Sequence, residues 1–212
     1  MSSVRRDKQL LQAVFDRNFD AVKIEVEAGA SANGHPEANC TPVAAATLLK
    51  HASMVGYLLD KGADPDRSVA VNPRCPKSVV PVAVPGERAL HIAAWTDNIG
   101  ILRLLLKKGR ADPNVTDSEE STPLMRACEN PNVDRGMVQL LLEAGADPSL
   151  AQQDGLIPLH MAAIHGNVDL VDMLVSKSAG ALNRCGSGLT PLFMACDHGH
   201  ASTVSRLLAL GA

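Results

Sequence analysis

Of the chain's 212 residues, 46% are hydrophobic but only 2% are aromatic, so its interior has to be assembled from Ala, Leu and Val in thin, closely spaced layers. Its 20 basic and 23 acidic residues are interspersed and leave a formal net charge of -3, which supplies no extended positive field for a phosphate backbone and argues against nucleic acid as the main partner. No run approaches the roughly 18 apolar residues of a membrane span, the start carries no apolar signal segment, and the five cysteines (Cys40, Cys75, Cys128, Cys185, Cys196) are odd in number without a CxxC pair. These features predict a soluble, monomeric protein of the cytoplasm or nucleus with reduced thiols.

A leucine-rich segment followed by a small turn residue recurs along the chain, at Gly29, Gly62, Gly109, Gly145, Ser178 and Gly211, in steps of 33, 47, 36, 33 and 33. A base period of 33 with two longer steps predicts six stacked units, near 7–33, 37–66, 84–114, 118–149, 152–183 and 185–212, with an insertion near 67–86. The first unit opens on the polar run Ser2 to Gln9, as suits an exposed terminal layer. The second, fourth and sixth open with Thr41-Pro42, Thr122-Pro123 and Thr190-Pro191, where Thr caps the free amides of a helix and Pro supplies a preset first residue. The third has Arg88-Ala89 and the fifth Ile157-Pro158 at the same place, and these two helix starts are expected to be less sharply fixed. Small residues such as Ala93-Ala94, Ala127-Cys128, Ala162-Ala163 and Ala195-Cys196 let neighbouring helices approach, and Gly166 and Gly199 break the chain before a second helix. That second helix has helical apolar spacing, as at Val138, Leu141 and Leu142 or Val171, Leu174 and Val175, and a closing Gly in the left-handed conformation is expected to end it. The insertion carries Pro73, Pro76, Pro81 and Pro85, which exclude a regular helix or central strand; an extended finger lying back on its own stack is favoured over a binding flap.

The stretch from Gly155 through His160-Met161-Ala162-Ala163 and Gly166-Asn167 to Leu174 resembles a full ankyrin repeat, and the resemblance extends from about Leu10 to Ala212. It implies an all-α solenoid of antiparallel helix pairs with β-turn fingers projecting from one edge and a concave face along the fingers and first helices. His91 and His160 hold the family's usual histidine slot, against Ala44, Met125 and Phe193 in other units, and the resemblance implies that such rings hydrogen-bond between adjacent turns rather than act as general bases. It also implies a finger position at Asn114 that an oxygenase can hydroxylate, with the chain as substrate. The last unit stops at Gly211-Ala212 with Val204, Leu207, Leu208 and Leu210 on its outer side, and the protein is expected to continue beyond it.

No nucleophile elbow, phosphate-cradling glycine loop or HExxH motif occurs, so no catalytic residue is assigned. Cys185, Cys196, His198 and His200 form the best metal candidate, yet lack the short ligand spacings that preset a tetrahedral zinc site. Cys196 instead occupies the small-residue slot of its helix, and the structural reading is preferred; neither metal nor cofactor is expected. In the implied architecture the two positions after the small pair face the groove, giving Leu48 and Leu49, Trp95 and Thr96, Glu129 and Asn130, Ile164 and His165, Asp197 and His198. The slot ahead of the helix adds Leu156 and Leu189 to this set. An apolar groove with a polar rim fits a protein or peptide segment, and Trp95 is either its anchor or a packing residue that shields the base of the insertion. The expected function is therefore a non-catalytic protein-interaction scaffold; the alternative is a regulatory or substrate-recruiting part of a larger enzyme, such as a ligase adaptor, kinase or host-directed effector.

Overall fold

A computed structural model describes residues 3–35, 40–68 and 84–212. Within them the chain forms twelve α-helices in six consecutive pairs: α1 (Ser3–Phe15) and α2 (Phe19–Glu27), α3 (Pro42–Leu48) and α4 (Ala52–Asp60), α5 (Ala89–Trp95) and α6 (Ile99–Lys107), α7 (Pro123–Glu129) and α8 (Arg135–Glu143), α9 (Pro158–Ile164) and α10 (Val168–Lys177), α11 (Pro191–Asp197) and α12 (Ala201–Leu210). The described residues contain no strand, only an isolated bridge between Gly186 and Leu189. The predicted all-α solenoid is thus the observed fold. Most of the 67–86 insertion, including Cys75, lies outside the described residues, and so does the question of how that finger packs.

First helices pack in series, α1 on α3, α3 on α5, α5 on α7, α7 on α9 and α9 on α11, while second helices from α4 to α12 form the parallel row behind them. The small residues explain this spacing: Ala45, Ala46, Ala93, Ala94, Ala127, Ala162, Ala163 and Ala195 are all fully buried where neighbouring first helices meet. Leu58, Leu105, Leu141, Leu174 and Leu207 repeat one position of the second helices and fill the space behind, each buried. No pair could bury these faces alone, so each layer draws its stability from its neighbours.

Two different devices start the first helices. Where Thr precedes Pro, its hydroxyl accepts the backbone N–H three residues on, as Thr41 does from Ala44, Thr122 from Met125 and Thr190 from Phe193. Where Arg88 or Ile157 replaces Thr, the histidine at that third position works in the opposite sense. His91 Nδ1 accepts the Arg88 N–H at 3.2 Å, and His160 Nδ1 accepts the Ile157 N–H at 3.1 Å. Each ring then donates from Nε2 to the next unit, to the carbonyls of Ser121 and Leu189, which fixes the neutral Nε2-H tautomer. Units with Thr lack His and units with His lack Thr. The third and fifth helix starts, expected to be loosely fixed, are therefore tied by an imidazole.

Second-helix endings depart from expectation in two units. Gly29, Gly62, Gly145 and Gly211 have positive φ, but after α6 the left-handed residue is Arg110 (φ 55°) rather than Gly109. A Cβ on Gly109 would meet the Leu105 carbonyl at 2.7 Å, so glycine there serves close approach. After α10, Ser178 sits at φ -148° and a 3-10 turn at Ala179–Ala181 completes the ending. Arg110 accounts for one extra residue of the 36-residue step. The rest lie between α7 and α8, whose link spans 130–134 where 96–98, 165–167 and 198–200 suffice elsewhere.

Successive fingers are held in register by main-chain bonds. Ser118 N–H donates to Pro85 O, Gln153 N–H to Glu119 O and Ser187 N–H to Asp154 O. At their bases, Asn33 Oδ1 accepts the Asp64 N–H and Asn114 Oδ1 accepts the Asp147 N–H, while Asn114 Nδ2 donates to Gly145 O. The side chain of Asn114 is thus engaged on both its oxygen and its nitrogen. Removing one helix-start device tests their inequality: Thr122→Ala should cost about 1 kcal/mol in urea unfolding, whereas His160→Ala, which strands the buried Ile157 N–H, removes the link to the Leu189 carbonyl and leaves a cavity, should cost about 2–4 kcal/mol. Equal losses would show that the imidazole serves only as filler.

Candidate functional site

The ends of the first helices line up along the stack. Trp95 closes α5 with 43% of its surface exposed, and Thr96 beside it is half-buried. Neighbouring units bind the carbonyls here: Lys50 Nζ donates to Thr96 O at 3.1 Å and Asn130 Nδ2 to Trp95 O at 3.5 Å. In the fifth unit His200 Nε2 donates to Ile164 O at 2.8 Å. Free carbonyls at helix C-termini are thereby paired across unit boundaries, which orders the chain beneath the exposed side chains. Leu48, Glu129, Asn130, Ile164, His165 and Leu189 are half-buried, while Asp197 and His198 are exposed. Leu49 and Leu156, predicted for the same surface, are each only 9% exposed. Leu156 Cδ2 fills the place where a Cβ on Gly186 would come within 2.7 Å, so Leu156 joins adjacent fingers by packing.

The C-terminal Cys and His residues do not converge. Among the described residues no group of three or more His, Cys, Asp or Glu side chains is placed to hold a metal ion. His198 Nδ1 lies 2.9 Å from Met194 O, and both histidines have backbone partners. Cys128 is buried, which pushes its thiol up to about 12 and makes it inert. Cys196, expected as a core residue by the same slot, is instead exposed, because no described layer covers that side of α11.

The strongest electrostatic feature was not anticipated from sequence. Arg126, in α7, occupies a slot held by Ala45, Ile92, Met161 and Met194 in other units, and its side chain is only 11% exposed. Its guanidinium donates to Asp117 Oδ2 from Nη2 at 2.7 Å and from Nε at 3.1 Å, to Glu119 at 3.0 Å and to Glu129 at 2.9 Å. Glu87 stands 3.8 Å from Nε, beyond hydrogen-bond reach. Asp117, fully buried, also accepts the N–H groups of Glu119 and Ser121. Four carboxylates thus surround one guanidinium, spread over the third unit's finger (Glu87), the fourth unit's finger (Asp117, Glu119) and α7 (Glu129). A single Arg in an apolar slot was the legible signal, and its carboxylate partners on separate loops were not.

Burial shapes the titration of this cluster. Desolvation pushes the Glu87 carboxyl up to about 7, with Arg126 opposing and Asp117 reinforcing. Desolvation also raises Glu129 against the pull of Arg126. Arg126 itself is desolvated, yet Glu129 and Asp117 outweigh this and hold its proton more tightly than usual. Neighbouring His91 is driven the other way, down to about 4 by burial. A raised carboxylate contributes stability that is full below its unfolded value of 4.5 and lost as pH climbs through about 7. The lowered histidine contributes stability that is full above 6.5 and lost as pH falls through about 4. Between 4.5 and 6.5 the two slopes oppose. Glu87→Gln should therefore raise stability at pH 8 by about 1–3 kcal/mol and expose a steeper loss on acidification below pH 6.5. Urea midpoints measured from pH 4 to 8 test this, and a variant less stable than the parent at pH 8 would show that contact with Arg126 outweighs burial.

Comparison with known proteins places this architecture. The family described as ankyrin repeats (3 copies) matches residues 69–150 and 124–212, more than half of the chain. Alpha-latrocrustotoxin-Lt1a of Latrodectus tredecimguttatus is 30% identical over 122 residues, covering 58% of this chain and 7% of the toxin. The ankyrin repeat and KH domain-containing protein mask-1 of Caenorhabditis elegans is 34% identical over 92 residues, 43% of this chain and 3% of that protein. The ankyrin repeat protein FPV031 of fowlpox virus (strain NVSL) is 29% identical over 178 residues, 81% of this chain and 48% of the viral protein. The chain spans less than half the length of each of these relatives. With its stacked helix pairs, bonded fingers and interunit histidines, the chain belongs to the ankyrin-repeat family.

Proposed function

We propose that this is a non-catalytic scaffold of six ankyrin repeats in one domain that binds a segment of another protein along the groove formed by its fingers and first helices. Ankyrin repeats generally serve as protein-interaction modules, and the observation that carries the reading here is Trp95: a large aromatic left 43% exposed at a helix end whose carbonyls are pinned from both neighbouring units. An anchor held on a rigid base loses little conformational freedom on contact, so more of its contact energy is realised as affinity. Thr96, Glu129, Asn130, Ile164, His165, Leu189, Asp197 and His198 extend the surface along the stack, with Leu48 at its N-terminal side. Leu49 and Leu156 support it from beneath.

Among the described residues no helix is long and apolar enough to cross a membrane. We place the protein, as a monomer, in the cytoplasm or nucleus, where exposed thiols such as Cys185 and Cys196 stay reduced. The same surface serves equally well as a recruiting element within a larger enzyme, a reading favoured by the similarity to the palmitoyltransferase ZDHHC13 of Danio rerio, in which the matching region is 24% of the protein.

Two substitutions separate contact from support. Trp95→Ala should weaken binding to a partner isolated with the full chain by about tenfold or more while shifting the thermal midpoint only slightly. Leu156→Ala should do the reverse, lowering stability by about 2–4 kcal/mol with affinity retained below the new midpoint. Calorimetric titration together with thermal unfolding distinguishes them; unaltered affinity in Trp95→Ala would assign that ring to packing.

A further inference from the structure

Equivalent positions in neighbouring second-helix grooves hold different charges. Between α4 and α6, Lys108 Nζ lies 2.7 Å from Asp60, and between α10 and α12, Arg206 Nε lies 2.6 Å from Asp172. Counted from the buried Leu58, Leu105, Leu141, Leu174 and Leu207, these two acids correspond to Lys107 and Arg103 of α6, and their basic partners to Ala144 and Leu140. Between α6 and α8, both ion-pair positions of the neighbouring grooves are therefore filled by a cation and an apolar residue. Among the described residues neither the Arg103 nor the Lys107 side chain has a hydrogen bond or an ion pair, and both residues are exposed. Lys107, in the last turn of α6, meets the helix dipole; Arg103, one turn earlier, has only the repulsion of a like charge four residues on. A cavity of about 590 Å³ lies along this groove. Half-buried Ile99, Leu106 and Leu140 line it, with Arg103 and Lys107 on its α6 side. On the α8 side, Glu143 accepts from Gln139 Nε2 at 2.7 Å and pairs with neither cation.

We propose that the groove between α6 and α8 is a second docking surface, which receives an acidic amphipathic helix of another protein. That helix lays an apolar side chain on Leu106 and Leu140 and sets two carboxylates, one turn apart, against Arg103 and Lys107. Charge complementarity decides the occupant: two cations without partners stand over an apolar cavity, at the very positions where the neighbouring grooves place Asp172 and Asp60. An incoming pair of carboxylates supplies what those grooves obtain from their own chain. A helix suits the site because two helices side by side offer a furrow for a third, and its residues four apart match the spacing of 103 and 107. The surface belongs to the row of second helices, whereas Trp95 closes the first helix α5, so it is independent of the groove reading above.

Nuclear magnetic resonance titration of the nitrogen-15-labelled full chain tests the proposal. The probe is an alanine-based helical peptide of about 16 residues containing Glu-Ala-Ala-Leu-Glu, which puts both acids and the leucine on one face. Amide shifts should concentrate in α6 and α8. At low ionic strength affinity should fall about tenfold when the probe carries Gln for both Glu, or when the chain carries Arg103→Gln with Lys107→Gln. Alanine in place of the probe's leucine should weaken it by a similar factor, and Arg103→Glu with Lys107→Glu should transfer preference to a Lys-Ala-Ala-Leu-Lys probe. Both altered residues are exposed, and circular dichroism verifies that each variant is folded. No binding, shifts confined to other helices, or indifference to both charge changes overturn the proposal. So does preference for phosphatidylserine vesicles over the probe, which makes the face a lipid contact, or self-association that the double Gln change abolishes, which assigns the groove to a second copy. None of these outcomes bears on the Trp95 surface, whose own test is the affinity of Trp95→Ala.

Discussion

Close approach of the first helices through their alanines is the constraint from which the remaining structure follows. With Ala93, Ala94, Ala127, Ala162 and Ala163 between them, successive units come near enough for polar groups of one to satisfy backbone groups of the next. His91 reaches Ser121, His160 reaches Leu189, Lys50 reaches Thr96 and His200 reaches Ile164. A bulkier residue at the alanine level would separate the layers and break several of these bonds together, because packed interiors absorb extra volume poorly. Gly166 shows how tight the fit is on the second-helix side: a Cβ there would meet the His200 ring at 2.5 Å.

Architecture was legible in the sequence because it is periodic. A 33-residue spacing, paired small residues and leucines at helical intervals each report a short-range requirement that repeats from unit to unit, and the helix pairs follow that spacing, although α1 begins at Ser3, ahead of the 7–33 expected for the first unit. Departures came where a single residue changed role. Gly109 read as a left-handed ending but serves close packing, and Arg110 takes the left-handed φ. Leu156 read as a groove residue because its slot precedes the first helix, yet the neighbouring finger at Gly186 closes over it. Cys196 read as core because its slot is small, but burial depends on what stands next to α11 as well as on side-chain size.

The Arg126 cluster was illegible for a different reason. Its members come from two fingers and one helix, separated by as many as 42 positions between Glu87 and Glu129, and no local pattern relates them. Such a cluster is an uneconomical way to stabilise a layer, since apolar side chains occupy the equivalent slot in other units at no desolvation cost. Its presence in one layer marks the boundary between the third and fourth units as chemically unlike the rest of the stack.

The two ways of starting a first helix have a bearing on how such a chain drifts. Threonine and histidine work on the same turn from opposite ends, one accepting an amide ahead of it and the other an amide behind, so a unit that retains either partner keeps an anchored start. None of the five units with this turn carries both. Threonine, proline, leucine and histidine need never coincide in one tetrapeptide, and a lineage can wander from one arrangement to the other through an intermediate holding both without passing through an unanchored turn.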